Sequence, residues 1–163
     1  MAKKQASQGT PATAVLVAAG VPFTLHPYTH DPSAASYGLE AADVLGIDPR
    51  RVFKTLMVDI DGKLGVGIVP VSGTLDLKAI AAALGIKKAA MADPKTAERR
   101  TGYVLGGISP LGQRQPSPTV LDESALAFST VLVSGGRRGL DIELDPADLI
   151  RLTGALTAPI GSP

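Results

Sequence analysis

One lysine stands in an otherwise apolar, strand-like run. The stretch Arg51-Val52-Phe53-Lys54-Thr55-Leu56-Met57-Val58 is rich in aromatic, β-branched and apolar residues, and Asp61-Gly62 follows as a turn signal. Side chains alternate across a strand, so Val52, Lys54, Leu56 and Val58 share a face. An ammonium buried in that row without a partner is costly. Lys54 therefore either lines a cavity that needs a positive donor or carries its head out to water. Ser134-Gly135-Gly136-Arg137-Arg138-Gly139 reads as a backbone N–H nest flanked by two guanidinium groups, suited to phosphate oxygens, or as a tight glycine turn. Gly106-Gly107 offers unshielded N–H groups to a ligand oxygen, as in an oxyanion hole, or a turn with positive φ. Asp141, which shares a strand face with Glu143, is either an amine-binding carboxylate or part of a solvated face. Tyr28 ends a strand, where its hydroxyl either meets a polar ligand or marks a core edge.

Several chemistries are missing. The chain has no cysteine, which excludes disulfides, thiolate zinc sites and cysteine nucleophiles. Its only histidines are His26 and His30, with Pro27 between them, a spacing that argues against a helical metal site. Ser109 sits in a glycine-rich stretch without the G-x-S-x-G pattern or an arranged histidine. The glycine turn at 134–139 lacks G-x-x-x-x-G-K-[ST], which argues against nucleotide hydrolysis. What remains is a lysine, small hydroxyls, glycine N–H groups and a carboxylate. Such a set can bind a charged small group and polarise an ester, but it is poorly equipped to supply a strong nucleophile.

These residues need a scaffold. At 163 residues, with 45% hydrophobic and 19% charged, the chain suits one globular domain with a real core. Net charge is +1, so overall charge does not mark a nucleic-acid binder. No apolar run approaches a membrane span, and residues 1–9 read as a flexible polar leader without the features of a signal peptide. The expected location is cytoplasmic. Helices are expected at 12–19, 37–45, 75–84, 94–100 and 146–152, with a short one at 122–125. Strands are expected at 23–28, 52–60, 64–71, 117–121, 130–133 and 140–144, with a frayed tail at 158–163. Hairpins are present and a strict βαβ repeat is absent. That predicts a single α/β or mixed α+β domain over 10–157 with a largely antiparallel sheet.

Several of these stretches resemble the YbaK/EbsC family of aminoacyl-tRNA deacylases. The resemblance lies in Val52-Phe53-Lys54-Thr55-Leu56, Leu75-Asp76-Leu77-Lys78, Thr101-Gly102-Tyr103-Val104, Gly106-Gly107-Ile108-Ser109-Pro110-Leu111-Gly112 and Ser134-Gly135-Gly136-Arg137-Arg138-Gly139-Leu140. The pattern is most similar to the bacterial Cys-tRNA(Pro) deacylases, stand-alone relatives of the editing domain of prolyl-tRNA synthetases. The resemblance implies a barrel-like mixed sheet ringed by helices, and clearing of cysteine from mischarged tRNA(Pro). It places the family's essential lysine on Lys54 and its glycine-loop position on Gly106. Substrate-binding positions fall on Tyr28, Thr55, Ser134 and Asp141. No metal or cofactor is implied. The substrate's own thiol is the expected nucleophile, and prolyl-tRNA synthetase is the expected partner. A water-using deacylase for Ala- or Ser-tRNA and a non-catalytic tRNA-end binding module are the alternatives.

Overall fold

A computed structural model describes residues 9–33 and 37–163. Residues 1–8 of the expected leader lie outside the described residues. Helix α1 spans Pro11–Ala19. Thr10 caps it by accepting a hydrogen bond from the Thr13 N–H, Pro11 opens it, and Gly20 closes it in the left-handed conformation. Strand β1 (Thr24–Pro27) and helix α2 (Tyr37–Leu45) follow. Strands β2 (Phe53–Ile60) and β3 (Lys63–Pro70) form an antiparallel hairpin. Its two-residue turn has positive φ at both Asp61 and Gly62, the twist that favours this dipeptide. Next come β4 (Thr74–Leu75), α3 (Leu77–Ala83), β5 (Ala90–Met91) and α4 (Pro94–Thr101). Asp76 and Asp93 accept from the Ala79 and Thr96 N–H groups and so cap α3 and α4. The chain continues through β6 (Thr119–Asp122), a 3-10 turn (Glu123–Ala127), β7 (Val131–Arg137) and β8 (Leu140–Leu144). It ends with α5 (Pro146–Thr153), β9 (Leu156–Ala158) and β10 (Gly161–Ser162).

The fold is mixed, as expected, but the strands do not close into a barrel among the described residues. They form a five-stranded sheet of order β5-β2-β3-β6-β9, a three-stranded sheet of order β1-β8-β7, and the pair β10-β4. Most pairings are antiparallel, while β3-β6 and β6-β9 are parallel. The two larger sheets pack on a shared core and are linked by one isolated parallel bridge between Val52 and Leu132, where the Leu132 N–H donates to the Arg51 carbonyl at 2.9 Å. Past that bridge the β2 and β7 ladders are not joined, and a crevice opens between them. Buried Ala41 and Ala42 of α2 pack over the seam on Val52 and Leu132.

The tail corrects the sequence reading. Instead of fraying, residues 156–158 add a strand beside β6, and Gly161–Ser162 pairs with β4. Ile160 is fully buried. The Asp122 carboxylate accepts from the N–H groups of Ile160 and Gly161 at 3.0 and 2.8 Å. The anchor lies 38 residues upstream, which is why local composition suggested a loose end.

Candidate active site

The crevice between β2 and β7 holds a cavity of about 370 Å³ lined by Tyr28, Lys54, Thr55, Gly106, Ser134 and Asp141, among others. Each element supplies its residue for a local reason. In β2, Phe53 and Met57 enter one buried cluster while Val58 and Ile60 enter another, so both faces of the strand are covered. Lys54 is consequently half-buried, and burial lowers its ammonium pKa. Lys54 makes no ion pair with any described residue. The neighbouring Thr55 Oγ1 is buried in the cavity wall without a hydrogen-bond partner. An orphan hydroxyl of this kind is rare in a finished core and suits a site that a ligand completes.

Across the crevice, Ser134 on β7 and Asp141 on β8 are direct cross-strand partners, so they share a face. The ladder breaks just after Ser134, where Gly135 and Gly136 form a bulge and the Gly136 N–H donates to Ser134 Oγ at 3.2 Å. The glycine stretch is thus a bulge and tight turn, with that N–H spent internally. Asp141 is only 6% exposed, and desolvation pushes its carboxyl up to about 7. Tyr28 lies close enough to feel it. Burial first, and the Asp141 charge second, raise the Tyr28 phenol to about 12. The Tyr28 backbone is held by its N–H donating to the Gly139 carbonyl at 2.9 Å.

Gly106 has φ +83°, and a Cβ there would meet the Tyr37 ring at 2.8 Å. Only glycine fits both constraints. Tyr37, Leu105 and Ile108 also line the cavity. The sequence reading did not single out Tyr37, though its place at the start of α2 beside a loop was a usable signal.

The other candidates lie elsewhere. Ser109 is fully buried, with its Oγ accepting from the Leu111 N–H, which is a local structural role. His26 Nε2 contacts Glu143 Oε1 at 2.7 Å, and His30 Nδ1 contacts Glu40 Oε1 at 2.8 Å. Glu143 is not part of a solvated face. It also accepts from Arg51 and Thr130, and this network fastens the start of β2 to β7 and β8. Of the lining residues none is a histidine or cysteine. No helix among the described residues is long and apolar enough to cross a membrane.

A family model described as the aminoacyl-tRNA editing domain matches residues 31–152, three quarters of the chain and nearly all of the cavity wall. The chain belongs to the aminoacyl-tRNA editing domain family. A relative from Enterococcus faecalis, EbsC, is 39% identical over 162 residues, 98% of each protein, and is named as a candidate Cys-tRNA(Pro)/Cys-tRNA(Cys) deacylase. A solved structure of a candidate trans-editing enzyme for prolyl tRNA synthetase superposes with a TM-score of 0.80 at 24% identity. That likeness covers 94% of this chain and 96% of the other, and it establishes the shared fold.

Proposed function

We propose that this editing domain is a trans-acting deacylase that removes cysteine from mischarged tRNA(Pro), with the substrate thiol as nucleophile. The observation that carries the reading is a cavity holding an unpaired cation and an unpaired buried carboxylate, with no histidine or cysteine in its wall. Such a site binds and polarises but lacks a base–nucleophile pair. A cysteinyl ester brings its own sulfur. In the proposed step Sγ attacks the ester carbonyl carbon, and the bond from that carbon to the terminal ribose oxygen breaks. The thiol proton ends on that oxygen, which leaves free tRNA and a cyclic thiolactone. Holding the amino acid bent supplies the effective molarity of an intramolecular reaction.

The roles follow from charge and placement. Asp141 receives the α-ammonium, and Lys54 receives the ribose–phosphate end of the tRNA. The Gly106 N–H stabilises the carbonyl oxyanion, an effect worth roughly 3 kcal/mol for comparable donors. Thr55, Ser134 and Tyr28 place the ester and sugar hydroxyls, and the orphan Thr55 Oγ1 gains a partner. With a net charge of +1, intrinsic tRNA affinity is low, and prolyl-tRNA synthetase delivers the correct tRNA. Deacylation rates that do not respond to added synthetase would remove that partner. The reading itself is tested by single-turnover deacylation of Cys-tRNA(Pro) with wild type and Lys54→Ala. The expected result is cysteine release by wild type and loss of at least about 100-fold in the variant. Equal rates would refute the role of Lys54.

A further inference from the structure

The segment Val104-Leu105-Gly106-Gly107 is a β-turn, closed by the Gly107 N–H donating to the Val104 carbonyl at 2.9 Å. Positive φ at its third residue, Gly106, is the type II pattern. Types I and II differ in which way the central peptide faces, here the unit joining the Leu105 carbonyl to the Gly106 N–H. The direction of that N–H is therefore the one soft choice the turn makes. Arg138 makes it. Its Nε donates to the Leu105 carbonyl at 2.8 Å, and its guanidinium lies 4.9 Å from the centre of the Tyr37 ring. The same ring packs against Gly106. The Leu105 N–H is held separately, donating to Glu98 Oε2 at 2.9 Å.

We propose that Arg138 is a positioning residue that locks this central peptide so that the Gly106 N–H faces the cavity. A peptide is planar and trans, so its carbonyl and N–H point in opposite directions. Anchoring the carbonyl outward to Arg138 aims the N–H away from it. A charged donor on the carbonyl also polarises the N–H of the same unit, strengthening it toward a developing oxyanion. Tyr37 serves as the backing for both partners. This inference rests on the reading of Gly106 as the oxyanion donor. It gives the Arg138 of the glycine turn a task other than binding phosphate.

The test uses full-length wild type, Arg138→Met and Arg138→Lys, the last of which keeps the cation. Single-turnover deacylation of Cys-tRNA(Pro) at saturating protein separates the chemical rate from tRNA binding. Amide NMR of residues 104–107 without tRNA reads the turn directly. The expected result for Arg138→Met is a chemical rate lower by about tenfold or more, with tRNA affinity within about twofold. Shifted or broadened amide signals should be confined to that turn. Arg138→Lys stays slow, because an ammonium lacks the planar fork that bonds the carbonyl while resting on the ring. Weakened binding at an unchanged chemical rate, restored by lysine, would overturn the lock in favour of a phosphate contact. A lower melting temperature with amide changes across the chain would overturn it in favour of a structural role. If wild type cleaves no Cys-tRNA(Pro), the deacylase reading fails, and unchanged 104–107 amides in Arg138→Met would separately refute the lock.

Discussion

Lys54 and Asp141 line one cavity and form no ion pair with each other, so opposite charges are held apart for something to come between them. That arrangement costs stability, and the cost has a pH signature. The Asp141 carboxyl sits at about 7 in the fold against 3.8 in the unfolded chain. The unfolded state therefore releases its proton first as pH rises. Asp141 stabilises the fold below pH 4, loses that contribution between pH 4 and 7, and changes nothing further above 7. Asp141→Asn should abolish this slope, gaining on wild type by a few kcal/mol between pH 4 and 8, on the order of 4 at most. Urea titrations at both pH values check it, and parallel slopes would contradict the burial argument. The same variant should lose deacylation, because an amide carries no charge to pair with the α-ammonium. At this scale the sequence was informative about Lys54, an odd cation in an apolar row. It left Asp141 open between an amine-binding carboxylate and a solvated face, because its burial comes from its neighbours across the sheet and not from its flanking residues.

Elements set the distances between these residues. The crevice lies where β2 and β7, bridged beside β2 at Val52 and Leu132, share no further ladder pairing. Glu143 secures that junction, and its carboxyl is held below the usual range chiefly by the Thr130 hydroxyl and also by His26 and Arg51. Glu143→Gln should destabilise the protein by about 1–3 kcal/mol by leaving Arg51 and Thr130 poorly paired. It should also slow deacylation by loosening the junction. A stability loss without any kinetic change would separate the two effects and contradict the positioning argument. Gly106→Ala is the sharper case at this scale. A methyl group there meets the Tyr37 ring in a backbone conformation that alanine resists, costing roughly 1–3 kcal/mol. Deacylation should fall by about 100-fold or more if the turn carries the oxyanion donor. Helix and hairpin positions were legible from caps, the Asp61-Gly62 turn and hydrophobic periodicity. The glycine turn at 134–139 and the positive-φ turn at Gly106 were among the readings of those stretches, but the bulge and the turn's exact form depend on Leu140, Tyr37 and Arg138 arriving from elsewhere.

The whole molecule closes through its last residues. Ile160 is fully buried and Asp122 holds the backbone on either side of it, so the tail completes the sheet that carries Lys54. Ile160→Ala should cost about 2–5 kcal/mol, measured by thermal or urea unfolding. A cost under 1 kcal/mol would mean that the tail is dispensable. The order of the strands and the openness of the sheets were not legible from local pattern, since β6 pairs with both β3 and β9 across long stretches of chain. The family was legible because three of its motifs supply Lys54, Thr55, Gly106 and Ser134 to the cavity wall. In the proposed reaction the substrate, and not the protein, supplies the nucleophile. Single-turnover deacylation of Cys-tRNA(Pro) and Ser-tRNA(Pro) by the same wild-type preparation tests it most directly. The two esters differ by one atom, so both fit the cavity, but a hydroxyl is a far weaker attacking group than a thiol. Cysteine release is expected to be at least about 100-fold faster than serine release. Comparable rates for the two would contradict it and assign the attack to water.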